Sequence, residues 1–203
     1  ETVPIILGGG HETAYGHFLG YVEAEMDVTI LNWDAHPDVR PLIDGKPHSG
    51  SSFRQALEHP SGRCQHYAVA GLQPHSTASA HLRFIKSHDG DYAWADEVTQ
   101  GTIAKRYETL SGPTMATFDL DAVDQAQAPG VSAPAVGGLE QDLWLHAAYH
   151  AGRCPQVTSV DIVELNPRVD VDNRTARLAA LTVMQILRGL SDRLRQEIGR
   201  AHV

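Results

Sequence analysis

The sequence predicts an α/β domain with a mostly parallel sheet. Three observations point there. Short apolar runs rich in β-branched residues recur along the chain, each separated from the next by a helical pattern. The runs are near-continuously apolar rather than alternating, as in strands covered on both faces. The 203 residues suffice for one domain with a full core, with no internal repeat or low-complexity tract.

The elements follow in order. The strand-like runs are Val3 to Leu7, Val28 to Trp33, Tyr67 to Ala70, the weak Ala93-Trp94, Met115 to Leu120 and Val157 to Leu165. Helical patterns lie between them at Tyr15 to Glu25, Ser52 to Glu58, Thr77 to Ser87, Thr102 to Leu110 and Gln141 to Ala151. The strongest helix runs from about Asn173 to Ile198. Residues 1–203 are read as a single domain.

Composition narrows the function classes. The net charge of −9 argues against a nucleic-acid partner, which calls for a basic surface. It suits bound divalent cations, although a solvated acidic surface accounts for most of the acids. No apolar run reaches the length of a membrane span and no secretory signal is visible. Cys64 and Cys154 lack CxxC spacing and read as packed thiols. A reducing cytoplasm is the expected compartment.

The chemistry gathers at strand ends, where open α/β sheets bind ligands. The first strand runs into Gly8-Gly9-Gly10-His11, and the second into Asp34-Ala35-His36-Pro37-Asp38. The fifth ends at Asp119-Leu120-Asp121, and the sixth carries Asp161 and Glu164. In an extended segment residues i, i+2 and i+4 share a face, which predicts that Asp34, His36 and Asp38 point together, as do Asp119 and Asp121. So many clustered carboxylates need cations. Four aspartates and two histidines without a thiolate favour a hard or borderline metal such as Mn²⁺. Carboxylates able to bridge favour two ions, roughly 3.5–4 Å apart.

Each motif has a plainer alternative. The glycines alone make a flexible turn, since both the P-loop Lys-Ser/Thr and the GxGxxG spacing are missing. Aspartates are common in turns. Glu164 is either a buried acid with a partner or a substrate contact. His17, in the helix after the glycine loop, is a candidate neighbour of a ligand. His48, in Gly45-Lys46-Pro47-His48-Ser49-Gly50, lies on a loop able to close over a site and to shuttle protons.

Taken together, these segments resemble the ureohydrolase superfamily of arginase, agmatinase and formimidoylglutamase. The matching pieces are Gly8-Gly9-Gly10-His11, Asp34-Ala35-His36-Pro37-Asp38, Phe118-Asp119-Leu120-Asp121-Ala122-Val123-Asp124 with Ala128-Pro129-Gly130, and Asp161-Ile162-Val163-Glu164-Leu165-Asn166-Pro167. The resemblance implies a three-layer α/β/α, arginase-like fold that lacks the family's N-terminal strands. It implies one Mn²⁺ on His11, Asp34, Asp38 and Asp119 and another on Asp34, His36, Asp119 and Asp121, with Asp34 and Asp119 bridging. Glu164 would pair with the cationic group of a small-molecule substrate, Asp38 would relay a proton, and His48 would be an auxiliary shuttle. The family's symmetric assemblies leave a homo-oligomer open.

Within that superfamily the details favour the formimidoylglutamase branch, which hydrolyses N-formimidoyl-L-glutamate to L-glutamate and formamide in histidine degradation. Arg40, two residues after Asp38, suits a substrate carboxylate, with an ion pair to Asp44 as the plainer reading. The segment His48-Ser49-Gly50-Ser51-Ser52-Phe53-Arg54 resembles that branch and adds Ser49 as a substrate contact. Gly71-Leu72-Gln73-Pro74-His75-Ser76 lacks the acid that arginases place there. An agmatinase or guanidinobutyrase activity, a truncated domain that binds metal without turnover, and a two-metal phosphoesterase are the competing readings.

Overall fold

The computed structural model describes residues 2–201, without the side chains of residues 197 and 199–201. Six strands form one parallel sheet: β1 (Ile5–Leu7), β2 (Val28–Trp33), β3 (Cys64–Leu72), β4 (Asp91–Trp94), β5 (Thr114–Asp119) and β6 (Val157–Val163). The helices are α1 (Thr13–Glu23), α2 (Ser52–Leu57), α3 (Ser79–Ser87), α4 (Gln100–Glu108), α5 (Gln141–Arg153) and α6 (Arg174–Ala201). The expected alternation is therefore present, with ends shifted by a few residues. The largest change is β3, which extends at both ends: Cys64 and His66 pair with Val28 and Thr29 of β2, and Leu72 pairs with Trp94 of β4. Their polar neighbours hide this extension from an apolar-run reading.

The strands lie in the order β1-β6-β5-β2-β3-β4. From β2 the chain builds outwards through β3 and β4, then returns to β5 on the other side of β2 and continues to β6. The connections leaving β2 and β5 thus diverge, which makes the carboxyl ends of this pair the topological switch point. Register places Asn32 opposite Thr117 and Trp33 opposite Phe118. The residues that follow, Asp34 and Asp119, therefore emerge side by side.

Period-two alternation divides the strand side chains between two layers. Leu31, Trp33, Ala116, Phe118, Val160 and Ile162 face the layer with α4, α5 and α6. Val28, Ile30, Val69 and Met115 face α1, α2 and α3. The α5–α6 contact is close enough that a side chain on Gly152 or Gly189 would collide with the opposing backbone. On the α1–α3 side the apolar parity is broken towards the carboxyl ends by Asn32, Thr117, Ser159 and Asp161, all buried. That polar row leads to the site. Among the described residues no helix is long and apolar enough to cross a membrane.

Candidate metal centre

Local backbone chemistry aims the acids. β2 ends at Trp33, and the next residues bend instead of continuing extended. Asp34 Oδ1 accepts the backbone N–H of His36 at 2.6 Å, and Asp38 takes a positive φ of 42°. The expectation that Asp34, His36 and Asp38 converge by strand alternation is thus corrected: they converge through a bend closed by Asp34 itself. The same holds at β5, where Leu120–Ala122 form a 3-10 turn. There Asp119 Oδ1 accepts the N–H of Asp121 at 2.8 Å. A short acidic side chain that caps its own turn is an Asx-type device.

His11 is held from both sides of its backbone. Its N–H donates to Glu164 Oε1 at 2.7 Å, and its carbonyl accepts from Ser52 Oγ at 2.8 Å. Glu164 follows β6 with φ of 68° and itself donates its N–H to Gly9 O at 2.8 Å. The glycine loop therefore positions His11 by packing against the end of β6.

Two ligand groups result. His11, Asp34, Asp38 and Asp119 form the first, and Asp34, His36 and Asp121 the second. His11 Nδ1 lies 3.1 Å from Asp34 Oδ2, 3.1 Å from Asp38 Oδ2 and 2.9 Å from Asp119 Oδ2. His36 Nδ1 lies 3.1 Å from Asp121 Oδ2 and 3.6 Å from Asp34 Oδ1. Asp34 thus turns one oxygen to each group. The second expected bridge, Asp119, groups by distance with the first set alone, and its Oδ1 is taken up by the Asp121 N–H.

Electrostatics mark the same place. Asp34, Asp38, Asp119 and Asp121 are all buried. Burial and the charges of Asp121 and Asp34 push the Asp119 carboxyl well above its usual range. Burial and the charge of Asp34 raise Asp121 to about 7. Against the effect of burial, Asp121 and Asp34 push the His36 imidazole up to about 11. Without a cation the cluster must therefore hold extra protons. Two buried atoms, His11 Nδ1 and Asp121 Oδ1, have no hydrogen-bond partner among the described residues, and one belongs to each group. Unpartnered ligand atoms of this kind, one nitrogen and one oxygen, fit hard or borderline divalent cations.

The expected substrate residues lie outside both groups. Arg40 is exposed, and its side chain makes no ion pair with Asp44 among the described residues. It stands against Gly50, where any Cβ would collide with the guanidinium. His48 sits at the end of an exposed loop with its Nε2 3.2 Å from Pro41 O. Ser49 is half-buried and opens the 3-10 turn before α2. Gln73, where arginases carry an acid, is buried and donates to Gly137 O at 2.8 Å.

Sequence reasoning missed Asn32, Tyr67 and Thr117. Asn32 Nδ2 donates to Asp34 Oδ2 at 3.0 Å and to Tyr67 Oη at 3.1 Å. Tyr67 donates in turn to Pro37 O at 2.8 Å, and Thr117 Oγ1 lies 2.9 Å from His11 Nε2. Asn32 and Thr117 each precede a ligand by two positions on its own strand, so stepping the motif back by one period would have found them.

Fold and site together define a parallel α/β protein with a paired carboxylate–imidazole centre at its switch point. The sequence model of the Arginase family matches residues 1–188, and the chain belongs to that family. Formimidoylglutamase of Geobacillus sp. (strain WCH70) is 36% identical over 206 residues, which cover 97% of this chain and 62% of the relative. The structure of Trypanosoma cruzi formiminoglutamase with Mn²⁺₂ superposes with a TM-score of 0.87 at 31% identity, over 95% of this chain and 66% of that one. That of Bacillus subtilis formimidoylglutamase gives 0.85 at 28% identity, over 93% and 61%. The chain thus spans a little over three fifths of the length of these relatives.

Proposed function

We propose that the chain carries the binuclear Mn²⁺ centre of a formimidoylglutamase, which hydrolyses the formimidoyl C–N bond of N-formimidoyl-L-glutamate in histidine degradation. The observation that carries this reading is Asp34, whose two oxygens face two separate ligand groups. His11, Asp34, Asp38 and Asp119 would hold one ion. His36 and Asp121 would hold the other with Asp34, and Asp119 borders it. When bound, such a pair activates water near neutral pH and stabilises charge developing at an amidine carbon. Relatives named formimidoylglutamase and a relative's structure with Mn²⁺₂ support the choice of substrate and metal.

The chain's own groups supply the rest. Glu164, half-buried beside His11, is the counter-charge for a cationic amidine. Asp38 passes the proton from the attacking water to the departing nitrogen, so that glutamate leaves as the amine and formamide keeps the water oxygen. His48 assists when its loop moves inward. Arg40, whose guanidinium has no ion-pair partner among the described residues, receives the glutamate carboxylate, and Ser49, next to Gly50 in sequence, is a further substrate contact. The unpaired thiols of Cys64 and Cys154 fit a reducing cytoplasm.

The deciding experiment supplies Mn²⁺ and measures metal content, formamide from N-formimidoyl-L-glutamate, and urea from guanidino compounds. About two ions per chain with formamide release are expected. Urea without formamide would move the chain to another branch of the family. Two ions with no product would make it a metal-binding domain.

A further inference from the structure

A file of buried polar side chains runs from the candidate centre across the α1–α3 side of the sheet, and none of the steps above uses it. His11 Nε2 lies 2.9 Å from Thr117 Oγ1. Thr117 donates to Asp161 Oδ1 at 2.5 Å, a contact set by sheet register, since the two residues pair across β5 and β6. Asp161 Oδ2 lies 2.6 Å from His17 Nδ1. His17 Nε2 lies 2.5 Å from Ser159 Oγ, which lies 2.5 Å from Tyr21 Oη. Tyr21 Oη also meets Thr158 Oγ1 at 2.6 Å. From His11 to Tyr21 every member is buried.

Counting donors fixes the direction of the bonds from His11 to His17 Nδ1. A carboxylate accepts only, so Asp161 must receive the Thr117 hydroxyl proton on one oxygen and the His17 Nδ1 proton on the other. Thr117 has then spent its single proton, and its oxygen can only accept from His11. His11 therefore carries a proton on Nε2, so that in the neutral ring the Nδ1 lone pair faces Asp34, Asp38 and Asp119. On the far side His17 Nε2, Ser159, Tyr21 and Thr158 continue the file to the Thr114 carbonyl, which accepts the Thr158 hydroxyl at 3.4 Å. Between His11 and His17 one assignment satisfies every contact, with Asp161 receiving from both sides.

We infer that His17 and Asp161 are positioning residues for His11: through Thr117 they hold its ring in the tautomer and orientation that present Nδ1 to a metal ion. A ligating imidazole is ordinarily fixed by what its other nitrogen donates to, and loss of that support costs roughly 10–100-fold in metal affinity. Here the support is a carboxylate reached through one hydroxyl, and α1 supplies the histidine that orients the carboxylate. This inference rests on reading His11 as a ligand.

The test titrates Mn²⁺ into metal-free protein, reading free Mn²⁺ by electron paramagnetic resonance, for wild type, His17→Leu and His17→Asn. Thermal unfolding without metal is measured alongside. His17→Leu is expected to weaken the tighter site roughly 10–100-fold. His17→Asn, whose amide N–H can replace Nδ1–H towards Asp161, is expected to recover most of that loss. An affinity within about twofold of wild type for His17→Leu, with only thermal stability lowered, would reduce the file to a structural role and overturn the inference. Should His17→Leu fail to fold, ¹⁵N spectra of the histidine rings in Zn²⁺-loaded wild type decide. A slowly exchanging His11 Nε2–H supports the inference, and its proton on Nδ1 refutes it. Wild-type protein that binds no metal would instead remove the metal reading, and this inference with it.

Discussion

Asp34 Oδ1 accepts the backbone N–H of His36 at 2.6 Å, while Asp34 Oδ2 lies 3.1 Å from the ring of His11. One side chain thus closes the bend after β2 and joins the two ligand groups. Asp34→Ala is expected to lose both ions, because each group loses a member and His36 loses its anchor. Asp121→Ala removes a member of the second group alone and should keep about one ion per chain. Asp119→Ala should empty the first group and weaken the second, since Asp119 also fixes the Asp121 N–H. Metal analysis after gel filtration measures all three. Equal retention in Asp34→Ala and Asp121→Ala would refute the shared role.

The clustered charges make stability and metal binding depend on pH. In the metal-free chain His36 is raised from 6.5 to about 11, against burial, by the carboxylates of Asp121 and Asp34. Asp121 is raised from 3.8 to about 7, first by burial and then by Asp34. Both folded values lie above the unfolded ones, so both contributions are complete at low pH and vanish as pH rises. That of Asp121 is lost between its two values, 3.8 and about 7, and that of His36 between 6.5 and about 11. Metal-free protein should therefore melt at progressively lower temperature from about pH 5 to about pH 9. Because ions displace those protons, the rise in Tm on adding Mn²⁺ should be larger at about pH 8 than at about pH 6. Calorimetry at the two pH values checks this, and an equal rise at both would contradict it.

The parallel sheet was legible because strands covered on both faces must be apolar, and the runs from Val28 and Val157 begin where β2 and β6 begin. The ligand set was legible because acids directly after such runs have no surface to occupy. How the ligands converge was not. An extended reading of residues 34–38 gives the right partners for the wrong reason, since the bend depends on Asp34 bonding its own neighbourhood and on positive φ at Asp38. Glu164 shows the same limit: nothing in Val163-Glu164-Leu165 announces φ of 68°. Thr117 and Asn32 passed as ordinary strand residues because a single hydroxyl or amide barely changes an apolar pattern. Their parity with Asp119 and Asp34 was the available signal.

His48 tests the loop. Its Nε2 lies 3.2 Å from Pro41 O, and it belongs to neither ligand group. His48→Ala should leave metal content unchanged and lower kcat by roughly tenfold to a hundredfold, at or below the low end of general acid–base contributions. Loss should be greatest where proton transfer limits the rate, flattening the pH profile of kcat. A metal content that falls with activity would place His48 among the ligands instead.

Arg40 and Gly50 form the sharpest test of substrate choice. The Arg40 backbone N–H donates to Gly50 O at 2.8 Å, and its guanidinium lies over Gly50 where a Cβ would stand. Arg40→Ala should lower kcat/KM for N-formimidoyl-L-glutamate roughly 10–100-fold, the equivalent of about 1.5–3 kcal/mol for a hydrogen bond to a charged group. Arg40→Lys keeps the charge but loses the bidentate fork, so it should recover only part. Gly50→Ala should act in the same direction with a smaller effect, because the colliding atoms are the tip of a flexible side chain that can move aside. None of the three should change metal content, and none should alter hydrolysis of formamidine, which has no carboxylate to bind. An equal loss on both substrates would remove Arg40 from substrate recognition and assign its effect to the Asp34–Asp38 bend that precedes it.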